Sequence, residues 1–358
     1  MERGRDMTVT EAVTPTEKGA GNSDVRFRFD NLGLTLVLLA LIVLFTLINP
    51  RFASFSNMIN VLTQASTYII VAIGMTFVIT KGGIDLSVGA AMALSTCITF
   101  DLLDSGLHYI PALVVLFAIS IVLGAINGLV VTFLAVPALI ATLGTMVTFR
   151  GIALLHSAGE LYYGLPPELV WLGQGKIGVI PVPIIVAALF VLVAHWLFNL
   201  STFGVHVRAV GGNTEAARLA GIRINRVTIA TYCIMGIAVG LGGLLWMARI
   251  DGTQATLGTA MEIHVIAATI IGGTSLFGGR GTLYGTVLGG LLLTMLNNAL
   301  VIAGVEFFWQ LVAIGIIVIS AVTINNIREN RIAWIADLRT RSGSRNYSKT
   351  KKGETKHA

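Results

Sequence analysis

Residues 105–149 read SGLHYIPALVVLFAISIVLGAINGLVVTFLAVPALIATLGTMVTF, 45 consecutive positions without an Asp, Glu, Lys or Arg. A helix needs about 20 mostly apolar residues to cross a bilayer. This run holds two such lengths, separated by Ala135-Val136-Pro137, and proline biases the residue before it away from helix. Two spans joined by so short a link fit a polytopic membrane protein. Other charge-free stretches occur at 31–50, 52–80, 227–248, 281–305 and 307–327. A secretory signal explains one apolar run near the N-terminus, not a succession of them.

Composition points the same way. Hydrophobic residues make up 55% of the chain and charged residues 12%. A soluble domain carries about twice that charged fraction. The net charge of +6 sits at the chain ends and in one loop. Flanking charge of this kind belongs to a membrane protein, so no nucleic-acid partner is expected. Cys97 and Cys233 lie in apolar segments and read as small core residues, with no disulfide framework and no metal site.

The expected fold is all-α and polytopic, with about ten transmembrane helices, some short or broken. The segments are 32–49, 57–80, 86–103, 110–132, 138–156, 179–199, 227–249, 263–277, 282–303 and 307–325. The short ones, 86–103 and 263–277, are candidates for broken or re-entrant helices. Residues 1–30 read as a mobile cytoplasmic tail, 31–327 as the membrane domain with a loop at 200–226, and 328–358 as a basic cytoplasmic tail. The last begins with a short surface helix around Ile332, Trp334, Ile335 and Leu338. Placing both termini inside puts 20 of the 24 basic residues on the cytoplasmic side, as the positive-inside rule requires. The 157–178 loop then faces outward.

Forty glycines are many for helices in water. Gly124/Gly128, Gly236/Gly240 and Gly285/Gly289 have small-xxx-small spacing, which lets helix backbones approach closely. Packing within the chain is favoured over dimer contacts. Gly272-Gly273 and Gly278-Gly279 bracket a short segment expected to bend near the cytoplasmic face.

No catalytic constellation stands out. The six histidines lack metal-ligand spacing, and there is no Gly-x-x-x-x-Gly-Lys-Ser/Thr loop to cradle ATP. Energy for active transport must therefore come from an ion gradient or from another polypeptide. Charges inside the spans are few. Asp85 follows Gly82-Gly83 and reads first as a helix cap; Arg150 reads as a snorkelled anchor or a pathway residue; Glu262 and His264 open a short segment. Uncharged polar residues are commoner in or beside the spans. Ser87, Asn127, Thr142, Thr145 and Asn297, with Asp85, Arg150 and Glu262, form the candidate pathway for a neutral hydroxylated solute. Interhelical hydrogen bonding is the plainer role for the uncharged ones.

The sharpest local signal is Gly211 to Gly221. Asn213 can cap a helix starting at Thr214, Glu215 suits its positive end, and Gly221 can close it in the left-handed conformation. The result is a helix of about two turns, roughly 10 Å long, placed cytoplasmically. Its Ala216, Ala217 and Ala220 face is small and smooth, suited to a partner's groove.

Several stretches together carry a resemblance. They are Gly82-Gly83-Ile84-Asp85-Leu86-Ser87-Val88-Gly89; Ala141-Thr142-Leu143-Gly144-Thr145 with Arg150-Gly151; Gly212-Asn213-Thr214-Glu215-Ala216-Ala217-Arg218-Leu219-Ala220-Gly221; and Ile271-Gly272-Gly273-Thr274-Ser275-Leu276-Phe277-Gly278-Gly279-Arg280-Gly281-Thr282. In this order the chain resembles the permease subunits of bacterial ABC importers of the ribose/xylose/arabinose type, over about residues 32–325. The resemblance implies a type II importer-like permease in the inner membrane and a second permease copy, identical or homologous. It also implies separate ATP-binding subunits that hold ATP and Mg, and a periplasmic sugar-binding protein. It makes residues 212–221 the coupling helix on the ATPase. One departure is Met261-Glu262-Ile263-His264, where relatives often carry Tyr-Glu-Leu-Asp, so a role for that Asp does not transfer. Two rivals remain at this point. One is the same architecture carrying another solute, such as a branched-chain amino acid or a furanone-like signal. The other is an ATP-independent carrier or channel.

Overall fold

A computed structural model describes residues 21–306 and, beyond them, 308–310, 312–313, 315–316, 319–320 and 323. Ser54 starts the central helix: its hydroxyl accepts from Asn57 N at 3.3 Å, capping α2 (Phe55–Thr80). Gly82, at φ +90°, ends it. Among the described residues six helices are long and apolar enough to cross a membrane: α2, α4 (Tyr109–Phe133), α5 (Ala138–Ser157), Val182–Leu200, α10 (Ile224–Ile250) and α12 (Leu283–Ile302). Of these, α2 is 78% buried across its apolar window, α10 67%, α5 22% and Val182–Leu200 28%. Helices α2 and α10 are therefore the core. The other two turn Val147, Leu155, Leu192 and Val193 outward, as a lipid-facing surface must.

Four of the ten expected segments differ or are only partly described. The first helix, α1, runs Gly21–Ile48 and so begins inside the stretch expected to be tail. Segment 86–103 becomes α3 (Val88–Asp104), entered through non-helical backbone at 83–87. Segment 263–277 yields only α11 (Met261–Ile271), whose 11 residues span about 16 Å and cannot cross the bilayer. Gly272 and Gly273, the latter at φ +91°, turn the chain away there, giving the expected bend. The described residues of 307–325 are helical. Residues 1–20 and 328–358, including the expected surface helix, lie outside the described residues.

The glycine spacings are used inside the chain, as expected. A Cβ at Gly124 would meet Gly236 N at 3.1 Å, and one at Gly236 would meet Ile121 Cα at 2.9 Å, so α4 and α10 pack backbone to backbone. Gly285 and Gly289 likewise face Gly272 and Ala268 across α11 and α12.

The 157–178 loop is not wholly helical, a departure from an all-α fold. β1 (Leu161–Tyr163) pairs antiparallel with β4 (Gly252–Gln254) after α10. α6 (Pro167–Gln174) follows, then a hairpin of β2 (Lys176–Ile177) and β3 (Ile180–Pro181), which leads into α7 (Val182–His195). Trp196–Leu200 forms one π turn, and α8 (Thr202–Gly212) and α9 (Thr214–Leu219) precede α10.

Candidate functional site

The α8–α9 corner is built much as its residues dictate. Asn213 is extended, at φ −156°, and its Oδ1 accepts from Ala216 N at 2.9 Å. Gly221 sits at φ +81°. Ile222 N donates to Ala217 O and Gly221 N to Arg218 O, both at 3.0 Å, a Schellman closure of α9. Glu215 also holds Arg218 in a two-pronged pair, at 2.6 and 3.1 Å, on the exposed side. The smooth alanine face is corrected. Ala217 is 3% exposed and packs in an apolar cluster with Val207, Val210 and Val227. The i+3 and i+4 spacing that grouped the alanines could not tell a face turned to a partner from one turned to α8 and α10. The free surface is Ala216, Ala220 and Leu219, with Leu219 80% exposed, flanked by Thr214 and the Glu215–Arg218 pair.

Three glycine loops meet beside this corner. Gly279 N donates to Thr80 O at 2.8 Å. A Cβ on Gly278 would lie 2.8 Å from Gly211 O and 3.1 Å from Gly82 Cα, and one on Gly279 would lie 2.8 Å from Gly212 Cα. The end of α2, the end of α8 and the 272–282 loop thus touch through bare backbone. Lys81 lies in the same place, and burial lowers its ammonium pKa from the ordinary value.

Beyond Gly82 the chain runs to the first half of the expected pathway. Asp85 is 2% exposed; its Oδ1 accepts from Ser87 N at 2.9 Å and Ser87 Oγ at 2.7 Å. Asn127 Nδ2 donates to Ser87 Oγ at 2.8 Å, and Thr145 Oγ1 donates to Asn127 Oδ1 at 2.6 Å. Thr142 Oγ1 reaches Ile84 O at 3.3 Å, as does the Tyr232 hydroxyl at 3.1 Å. The structure therefore joins Asp85, Ser87, Asn127, Thr142 and Thr145 around the non-helical link before α3. Asp85 is not the cap of α3, because it turns back onto Ser87, which holds that position.

The other three expected pathway residues lie elsewhere. Arg150 is neither a free anchor nor a lone pathway charge: its guanidinium donates to Ala255 O and, at 2.9 Å, to Leu257 O. Backbone between β4 and α11 is irregular, with Gly258 and Ala260 at positive φ, so its carbonyls need such a donor. Glu262 stands in the first turn of α11 near Gly89. Asn297 lines a small cavity with Gln64, Tyr68, Arg249, His264 and Thr294. Sequence reasoning did not single out Arg249; an arginine ending a charge-free span was the available signal. Among the described residues no group of His, Cys, Asp and Glu could hold a metal ion.

The comparisons with known proteins fit this geometry. The family model described as "Branched-chain amino acid transport system / permease component" matches residues 57–322, from α2 through all three glycine loops and beyond α12. The chain is 39% identical over 306 residues to the ribose import permease protein RbsC of Bacillus subtilis (strain 168), covering 84% of this chain and 95% of that one. Against RbsC of Escherichia coli (strain K12) the identity is 34% over 298 residues, covering 82% and 93%. The D-allose transport system permease protein AlsC of E. coli (strain K12) is 33% identical over 301 residues, covering 84% and 92%. No solved structure matches. With the model matching most of its length and its relatives aligned nearly end to end, the chain belongs to the branched-chain amino acid transport system permease family.

Proposed function

We propose that the chain is the inner-membrane permease subunit of an ATP-driven ABC importer for a monosaccharide or related polyol. Nearly end-to-end similarity to permeases for ribose and allose carries this reading, together with the multi-pass helical fold. The sequence has no phosphate-binding loop of its own, so ATP and Mg are held by a partner subunit. That partner seats on the α8–α9 corner, with Leu219 as the protruding apolar contact and residues 212–221 as the coupling helix. A periplasmic binding protein delivers the sugar, and a second permease copy completes the passage. Both termini and the 200–226 loop are cytoplasmic.

In this arrangement the glycine junction passes a displacement of the corner to the end of α2 and so to the Asp85 link. Close-packed backbone transmits shifts because it leaves no slack to absorb them. The test is reconstitution of the permease with its ATPase and binding protein in proteoliposomes, supplied with labelled D-ribose, D-allose or D-galactose. ATP-dependent accumulation of one of them is expected. Uptake by the permease alone, without ATP, would replace this reading with that of a carrier or channel.

A further inference from the structure

Arg226, Ala230, Ile234, Ile237 and Leu241 of α10 recur at intervals of four, four, three and four. At 3.6 residues per turn they share one side of the helix. Two cavities lie along that side. The first, about 450 Å³, sits where α8 and the α9–α10 turn meet the start of α10; Phe203, His206, Arg223 and Arg226 help to line it. The second, about 370 Å³, is a groove among α2, α7 and α10 that passes Leu189, Val193, Ile234, Ile237 and Leu241. Phe203 of the first cavity stacks on Phe77 of the second, with ring centroids 6.3 Å apart, so the two spaces adjoin through one aromatic pair.

Their chemistry is opposite. All ten side chains around the groove are apolar, and Leu189 and Ile237 stay 58% and 37% exposed. At the first cavity Arg223 and Arg226 are both exposed, and no carboxylate is among its lining residues. Among the described residues neither guanidinium has a hydrogen bond or ion pair, whereas Arg208 on α8 is spent on Phe198 O and the Phe198 ring. α10 begins there without a side-chain cap, so its positive end adds to the two cations. Trp196, 59% exposed after the end of α7, is the residue type that marks the headgroup level of a bilayer.

The scale fits as well. From Arg226 to Leu241 the helix advances about 22 Å. One leaflet with its headgroups is about 20–22 Å thick. A soluble protein reaches only the cationic end, and a free anion leaves the groove empty. A phosphate joined to an acyl chain satisfies both.

We propose that α7, α8 and α10 form a binding site for an anionic phospholipid of the cytoplasmic leaflet. Its phosphate lies between Arg223 and Arg226, and one acyl chain runs down the groove along Ile234, Ile237 and Leu241. The leaflet rests on the orientation that puts the 200–226 loop in the cytoplasm; the site itself is independent of the solute carried.

The test uses the purified full-length permease, alone and with its ATPase, stripped of lipid in detergent. It is titrated with dioleoylphosphatidylglycerol or the zwitterionic dioleoylphosphatidylcholine, and native mass spectrometry counts the bound lipid. Wild type should bind phosphatidylglycerol about tenfold or more tightly, the worth of a hydrogen bond to a charged group. The double variant Arg223→Gln/Arg226→Gln should lose that preference. Ile237→Trp should weaken both lipids by filling the groove; being partly exposed, it keeps the test decisive if the arginine variant fails to assemble. Equal affinity of wild type for the two lipids overturns the site, as does a preference that survives the arginine changes or unchanged binding by Ile237→Trp. Displacement of the lipid by inorganic phosphate would reduce it to an anion site. Loss of the ATPase from the double variant with lipid binding intact would give the arginines to the ATPase; either result overturns the proposal. Labelling of Gly212→Cys by an impermeant reagent in intact cells would overturn the leaflet alone.

Discussion

Gly211→Ala should damage the transporter while Gly212→Ala, one residue on, should not. A Cβ on Gly211 would lie 2.6 Å from Gly279 N and 2.9 Å from Thr80 C, and closer still to Thr80 O. That is inside the Gly279 N to Thr80 O hydrogen bond of 2.8 Å. All of these are backbone atoms, so no flexible side chain can yield. Separating the loops costs the burial of an unmatched amide, about 1–3 kcal/mol. Overpacking adds about another 1–3 kcal/mol. At Gly212 the same methyl finds only Gly279 Cα at 3.8 Å, an ordinary contact. Neither glycine has positive φ, so backbone strain does not confuse the comparison. About 2–6 kcal/mol against near zero should appear as a fall in Tm of about 5 °C or more for Gly211→Ala in detergent, with Gly212→Ala near wild type. Reconstituted uptake should follow the same order. Equal Tm and equal uptake for the two variants would refute the close-packed junction.

Leu219→Asp should leave folding intact, because the side chain is 80% exposed, yet reduce co-purification of the ATPase subunit. Ala217→Trp, at a site 3% exposed, should instead lower Tm by overpacking, about 1–3 kcal/mol, before any partner is involved. Asn127→Leu removes the donor to Ser87 and the acceptor for Thr145, while Ser87 keeps Asp85 and Thr145 keeps Thr142 O; each lost hydrogen bond costs about 0.5–1.5 kcal/mol, and a reduced Tm checks it. A cysteine at Gly212 should resist an impermeant thiol reagent in intact cells while one at Gly164 reacts, and the reverse pattern would invert the topology.

The membrane class, the two-turn capped helix and the glycine contacts were legible because each follows from local chemistry. Asn213 and Gly221 cap and close whatever helix lies between them, and glycines spaced by four mark one side of any helix. What was not legible depends on neighbours distant in sequence. The direction of Ala217 is set by Val207 and Val227, and the role of Arg150 by the unwound carbonyls of Ala255 and Leu257, 105 and 107 residues away. The extent of segment 263–277 was hidden for a related reason. Hydropathy records that 263–277 is apolar, not that Gly272 and Gly273 turn α11 back among other helices. Short strands such as Leu161–Tyr163 carry too few residues to show alternation.

Those strands have a mechanical consequence. Three backbone pairs join β1 to β4, and Gly164 N and Leu165 N both bind Asp251, at 3.1 and 2.8 Å. A Cβ on Gly173 would collide with the backbone of Ala248 and Arg249, and Gln174 Nε2 donates to Arg249 O at 3.1 Å. The 157–178 loop is thereby riveted to the end of α10, and the two form a single slab. A cavity of about 410 Å³ lies between that slab and the first turns of α2. Whatever widens the mouth must slide or tilt α2 against the slab, and α2 is the helix whose far end is gripped by the three glycine loops. One helix, α2, therefore runs from that cavity to the glycine clasp, so the two ends of the molecule share a single rod.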